Sequence, residues 1–87
     1  MMPSEMQNRI ETQWPGSQVE VRDLTGTADH WQVTVVSPAF EGKSMLEQHR
    51  MVKGLFEAEI SSGALHALSL KTYIPEEWKR NERRAGG

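Results

Sequence analysis

The chain of 87 residues contains no cysteine. Disulfides, a cysteine nucleophile and every thiolate metal site built from this chain alone are therefore excluded. No apolar run approaches the roughly 20 residues that a membrane helix needs. No hydrophobic stretch near Met1 to Arg9 has the form of a secretory signal, which leaves the cytoplasm as the default compartment. Aromatics are scarce at 7%, and apolar residues make up 37% of the chain, so the core must be small. Charge of one sign is also missing. Ten Lys and Arg stand against twelve Asp and Glu, a net charge of −2, so the chain as a whole is not a polycation drawn to nucleic acid. There is no Gly-x-x-Gly loop, no internal repeat and no linker. This length supports one domain, 1–87, with 84–87 expected as a frayed tail.

What is present reads as alternating elements. Pro3 to Gln13 is an amphipathic helix with Met6 and Ile10 on one face and Ser4 as candidate N-cap. Trp14-Pro15-Gly16 ends it. Ser17 to Leu24 alternates with Val19 and Val21 inward, and His30 to Ser37 alternates with Trp31, Val33 and Val35 inward. The short turn-rich loop between them predicts an antiparallel pair.

Ser44 and Glu47 form a capping box and start a long helix. Met45, His49, Val52, Phe56 and Ile60 recur on it at helical spacing. The helix runs towards Ile60, with a possible break near Gly54 or later, and Ser61-Ser62-Gly63 stops it. A strand from His66 to Thr72 follows, with His66, Leu68 and Leu70 on one face. It cannot be reached by a tight hairpin, which predicts a crossover and parallel pairing. Pro75, with Glu76 and Glu77 behind it, starts a terminal helix. The fold class is α+β, in the order α-β-β-α-α-β-α: a three-stranded mixed sheet with helices packed on one face.

Three histidines carry the chemical interest. His66 opens an apolar strand face, where an imidazole is either a backbone-bonded structural group or a ligand. His30, by its alternation phase, faces solvent, and Asp29 beside it is a candidate to orient its ring. His49 falls within the helical stripe and reads as a largely buried structural residue. Two imidazoles fall short of a four-ligand zinc site. Phe40 reads as core packing and Gly42 as a tight loop with positive φ. Lys79, Arg80, Arg83 and Arg84 form a basic end, and Lys43 with Arg50 and Lys53 forms a second. Such runs ordinarily are solvated helix faces. Ser44 is committed as a cap, and no serine sits in a nucleophile elbow, so catalysis is not expected.

His66-Ala67 followed by Thr72-Tyr73-Ile74-Pro75-Glu76-Glu77-Trp78, with Phe40-Glu41-Gly42-Lys43 and His49-Arg50 upstream, resembles the BolA family from Ile10 to Trp78. The resemblance implies a class II KH-like topology and an adaptor that binds a monothiol glutaredoxin. In that family a 2Fe-2S cluster is shared with the glutaredoxin and its glutathione. The histidine matching His66 is one ligand, and the loop ending at His30 supplies the second. The family's His-Arg pair, matched by His49, and Trp78 are taken as structural. Lys43 and the basic C-terminal helix are expected near a partner surface. The implied role is cluster trafficking or iron homeostasis, with a DNA-binding transcriptional regulator as the alternative. No cofactor is expected on the free chain, which is expected to be a monomer.

Overall fold

Pro3 is pre-set for the first turn of a helix, and the helix begins there rather than after Ser4. In this computed structural model the described residues are 2–26, 30–65 and 67–86, with side chains described as far as residue 82. Helix α1 spans Pro3–Gln13, and the Met2 N–H is capped by Glu5 Oε1 at 3.3 Å. Met6 and Ile10 are fully buried, as their spacing predicts. Strands β1 (Gln18–Asp23) and β2 (His30–Val36) pair antiparallel, and β3 (Ala67–Tyr73) pairs parallel with β2. The strand order β1-β2-β3 makes β2 central and leaves the outer two as edges.

Between β2 and β3 lie a short 3-10 turn (Pro38–Phe40), α2 (Met45–Leu55) and α3 (Glu57–Ser62). The capping box is made: Ser44 Oγ accepts from Glu47 N at 3.2 Å, and Glu47 Oε1 accepts from Ser44 N at 3.4 Å. The long helical pattern breaks at Phe56. Gly63, at φ +83°, ends α3 in the left-handed conformation.

The inward face of α2 differs from the predicted stripe. Met45 is 70% exposed and Ile60 is 40% exposed, while Gln48, Val52 and Phe56 turn inward. The reason is polar. Gln48 Nε2 donates to Lys43 O at 2.9 Å and to Phe40 O at 3.4 Å, and its Oε1 accepts from Thr72 Oγ1 at 2.6 Å. A glutamine so fully satisfied is buried at little cost, and it rotates the helix by one position relative to an apolar reading.

Helices α1 to α3 cover the sheet face carrying Trp31, Val33, Val35, Leu68 and Leu70, where Phe40, Val52, Phe56 and Leu65 complete the core. The terminal helix α4 (Pro75–Gly86) is placed differently from the expected single helical layer. Tyr73 points to the opposite face, and Trp78 sits against it there with ring centroids 5.2 Å apart. Trp78 and Asn81 then wall a shallow cleft over Arg22, Gln32, Thr34 and Lys71. The backbone of α4 continues to Gly86, past the start of the frayed tail expected at 84–87, because Arg83, Arg84 and Ala85 are good helix formers. No described helix is long and apolar enough to cross a membrane.

Candidate functional site

The site is built at the end of the sheet where β2 begins. Asp23 closes β1, and its Oδ1 accepts from Thr25 N at 3.3 Å and Gly26 N at 3.0 Å, an Asx turn that starts the loop. Asp29, offered as an orienting partner for His30, lies outside the described residues. The ladder resumes where Leu24 N donates to His30 O at 2.8 Å. From there alternation decides the two neighbours. Trp31 turns into the core at 4% exposure, and His30 turns out to solvent, as expected. Among the described residues the His30 imidazole has no hydrogen-bond or ion-pair partner.

Across the parallel ladder, His30 is in register with Ala67. Ala67 is the residue after His66, which itself lies outside the described residues. Both flanks of that position are anchored. Leu65 is 2% exposed, and its N–H donates to Glu59 O at 3.1 Å. Ala67 is held in the sheet.

His49 belongs elsewhere. It is half-buried, less than the sequence reading expected, because Gln48 takes the inward position beside it. Gln48 is tied to Thr72, five residues along β3 from the register partner of His30. At roughly 3.3 Å per residue that is about 16 Å along the strand. Among the described residues no three His, Cys, Asp or Glu side chains converge on a point that would hold a metal.

Phe40 is fully buried and meets Trp14 edge-on at a centroid distance of 5.6 Å. Gly42 adopts φ +77°. Glu77 Oε1 accepts from Ile74 N at 3.0 Å, which caps the first turn of α4 and fixes Trp78 one residue further on. The basic residues do not form one patch. Lys43 is exposed on the loop into α2, over one face of the sheet. Lys79 and Arg80 are exposed on α4, over the other. The Arg83 and Arg84 side chains lie outside the described residues.

Sequence reading missed two features. Gln48 gives no signal because a lone polar residue in a helix reads as surface. The open-face cleft has a signal in retrospect: Arg22, Gln32, Thr34 and Lys71 are the polar members of three alternating strands, and alternation stacks them on one side.

Comparison with known proteins adds kinship to this geometry. A family model described as BolA-like protein matches residues 4–77. BolA-like protein 2 of Mus musculus is 35% identical over 80 residues, covering 90% of this chain and 91% of its own. Across curated relatives the share of their own length that is matched runs from 40% to 91%, and the first of them, a BolA-like protein of Dictyostelium discoideum, is spanned over about half its length (49%). Among solved structures, yeast Fra2 matches with TM-score 0.69 and 34% identity, over 90% of this chain and 84% of its own. The BolA domain of SufE1 from Arabidopsis thaliana matches with TM-score 0.76 and 31% identity, over 85% of this chain and 92% of its own.

Proposed function

The chain belongs to the BolA family, and from that premise we propose that it is an adaptor that docks on a monothiol glutaredoxin and completes the ligand set of a shared 2Fe-2S cluster. The observation that carries this reading is the pairing of exposed His30 with Ala67, the residue that follows His66. Adjacent strand starts bring His30 and Ala67 to one end of the sheet. A chain with no cysteine can offer imidazoles and no thiolate, so it supplies part of a ligand set and requires a partner for the rest. That donor chemistry fits a cluster with two histidines on one iron and two thiolates on the other.

In the proposed complex His66 and His30 would be the residues of this chain that hold the cluster. The thiolates come from the glutaredoxin and its glutathione. When bound, the cluster supplies a reversible one-electron centre whose potential is raised by imidazole ligation, and imidazoles that protonate can release it. The protein's own contribution is positional. The β2 and β3 ladder fixes the starts of two strands side by side, and the Asx turn at Asp23 ends β1 ahead of His30. Likeness to a BolA domain carried within SufE1 supports a module that works joined to another protein. The role is cluster trafficking or iron homeostasis and not substrate turnover.

The test is a titration of the chain into glutathione-bound, cluster-loaded monothiol glutaredoxin, followed by visible circular dichroism. A new spectrum that saturates at equimolar ratio and is lost in His66→Ala is the expected result. An unchanged spectrum, with no association of the two proteins by light scattering, overturns the proposal.

A further inference from the structure

Strand β1 is an open edge, and its sequence is complementary to itself. The hydrogen bond from Leu24 N to His30 O continues the β1–β2 register, which makes that pair a bonded one. Bonded and non-bonded pairs alternate along an antiparallel ladder. Gln18, Glu20 and Arg22 therefore spend their backbone groups on β2, while Val19, Val21 and Asp23 direct theirs outward. Among the described residues, Val19 and Val21 make no backbone hydrogen bond on that outer side. The same two valines are only half-buried, although Val33 and Val35 beside them on β2 are fully buried. The edge thus presents unpaired peptide groups and incompletely covered apolar side chains together.

We propose that this edge is a homodimer interface, in which β1 of two copies pair antiparallel about a twofold axis at Val21 and merge the two sheets into one. In that register Val21 faces Val21, and Val19 faces Asp23 of the second copy. Val21 has its backbone groups outward, so the central Val21–Val21 pair exchanges two N–H···O bonds across the axis. On the solvent face Glu20, which within its own chain accepts from Arg22 Nε at 3.0 Å, lies opposite Arg22 of the second copy, so the two in-chain pairs join into one four-charge cluster across the axis.

Competing registers fail on the same chemistry. A slip of one residue sets outward groups against residues already bonded to β2 and reverses the faces. A slip of two sets Glu20 against Glu20 or Arg22 against Arg22, with like charges directly opposed. The other edge of the sheet lacks this self-complementarity. Strand β3 carries Lys71 with no acidic residue, the kind of charge that blunts an edge against pairing. The proposed dimer departs from the monomer that the sequence reading expected for the free chain. It does not depend on the cluster-adaptor reading.

The test is sedimentation velocity on the free chain from micromolar to millimolar concentration, with no glutaredoxin present. The dimer fraction is expected to rise with concentration. Glu20→Arg is expected to weaken association roughly tenfold, because two attractive pairs become repulsive. Combining Glu20→Arg with Arg22→Glu is expected to restore it. Glu20 and Arg22 side chains are 54% and 70% exposed, so the fold tolerates both changes, and far-ultraviolet circular dichroism checks that it does. A second readout is amide exchange: Val19 and Val21 should slow as concentration rises, and Val33 should not. A monomer throughout overturns the proposal. So does a dimer that ignores the charge reversal and its rescue.

Discussion

Thr72 Oγ1 donates to Gln48 Oε1 at 2.6 Å, and this one bond ties edge strand β3 to the first turns of α2 through the core. The Gln48 amide reaches the other way to the carbonyls of Lys43 and Phe40. Removing either partner strands a buried polar group, at a cost of about 1–3 kcal/mol. Gln48→Ala and Thr72→Val should each lower stability in that range in urea unfolding. The double variant should cost clearly less than their sum, because the second change removes a group that the first left unpaired. Additive costs would show that the bond does not carry the coupling.

Two glycines should respond to alanine with opposite signs. Gly42 sits at φ +77° with open space where a Cβ would project, so only the backbone objects. Gly42→Ala should destabilise by about 1–2 kcal/mol. Gly54 lies within α2 without a positive φ and also has open space around it. Gly54→Ala should stabilise by about 0.5–1 kcal/mol through helix propensity. Paired thermal melts read both signs, and a destabilised Gly54→Ala would mean that the break at Phe56 requires the glycine.

Arg9 fastens α1 across the break between α2 and α3. Its guanidinium donates to Leu55 O at 2.9 Å, pairs with Glu59 and lies 5.2 Å from the centroid of the Phe56 ring. The Leu55 carbonyl is one that the interrupted helix leaves without its own donor. Arg9→Met, which keeps the stem and loses the fork, should cost about 1–2 kcal/mol, only part of it recovered by Arg9→Lys. Because the Arg9 side chain is 37% exposed, salt should screen the Glu59 share and leave the Leu55 share. A loss abolished completely by high salt would reduce Arg9 to a surface ion pair.

These predictions divide along what the chain discloses of itself. Alternation in Val19 to Val21 and in Trp31 to Val35 names both strands and their inward faces, because period two admits only one assignment once a face is buried. Ser44 and Glu47 disclose the start of α2 by local chemistry alone. Gln48 and α4 are not legible in that way. Gln48 is buried only because Lys43, Phe40 and Thr72 converge on it, and that is a tertiary fact. The face chosen by α4 follows from Tyr73 ending β3 with its ring outward, where Trp78 finds it. At the site, the phase of β2 sets His30 outward from sequence alone. Its alignment with Ala67 depends on the parallel register, which no local pattern encodes.

That register makes His30 the more informative ligand to alter under the shared-cluster reading. It is exposed, its side chain has no partner among the described residues, its backbone carbonyl accepts from Leu24 N, and it stands in register with Ala67 of β3. Replacing its side chain should therefore leave the fold unchanged and move only the cluster. His30→Cys exchanges a neutral imidazole for a thiolate, which adds negative charge at the iron and favours its oxidised form. The cluster of the complex with glutaredoxin should then persist, with its midpoint potential lowered on the order of 100 mV. His30→Ala should instead lose the cluster's distinctive circular dichroism while the two proteins still associate. Redox titration of the three complexes reads the effect. A potential that does not move in His30→Cys, with association intact, would remove His30 from the ligand set and leave the second ligand to be sought elsewhere on the partner-facing surface.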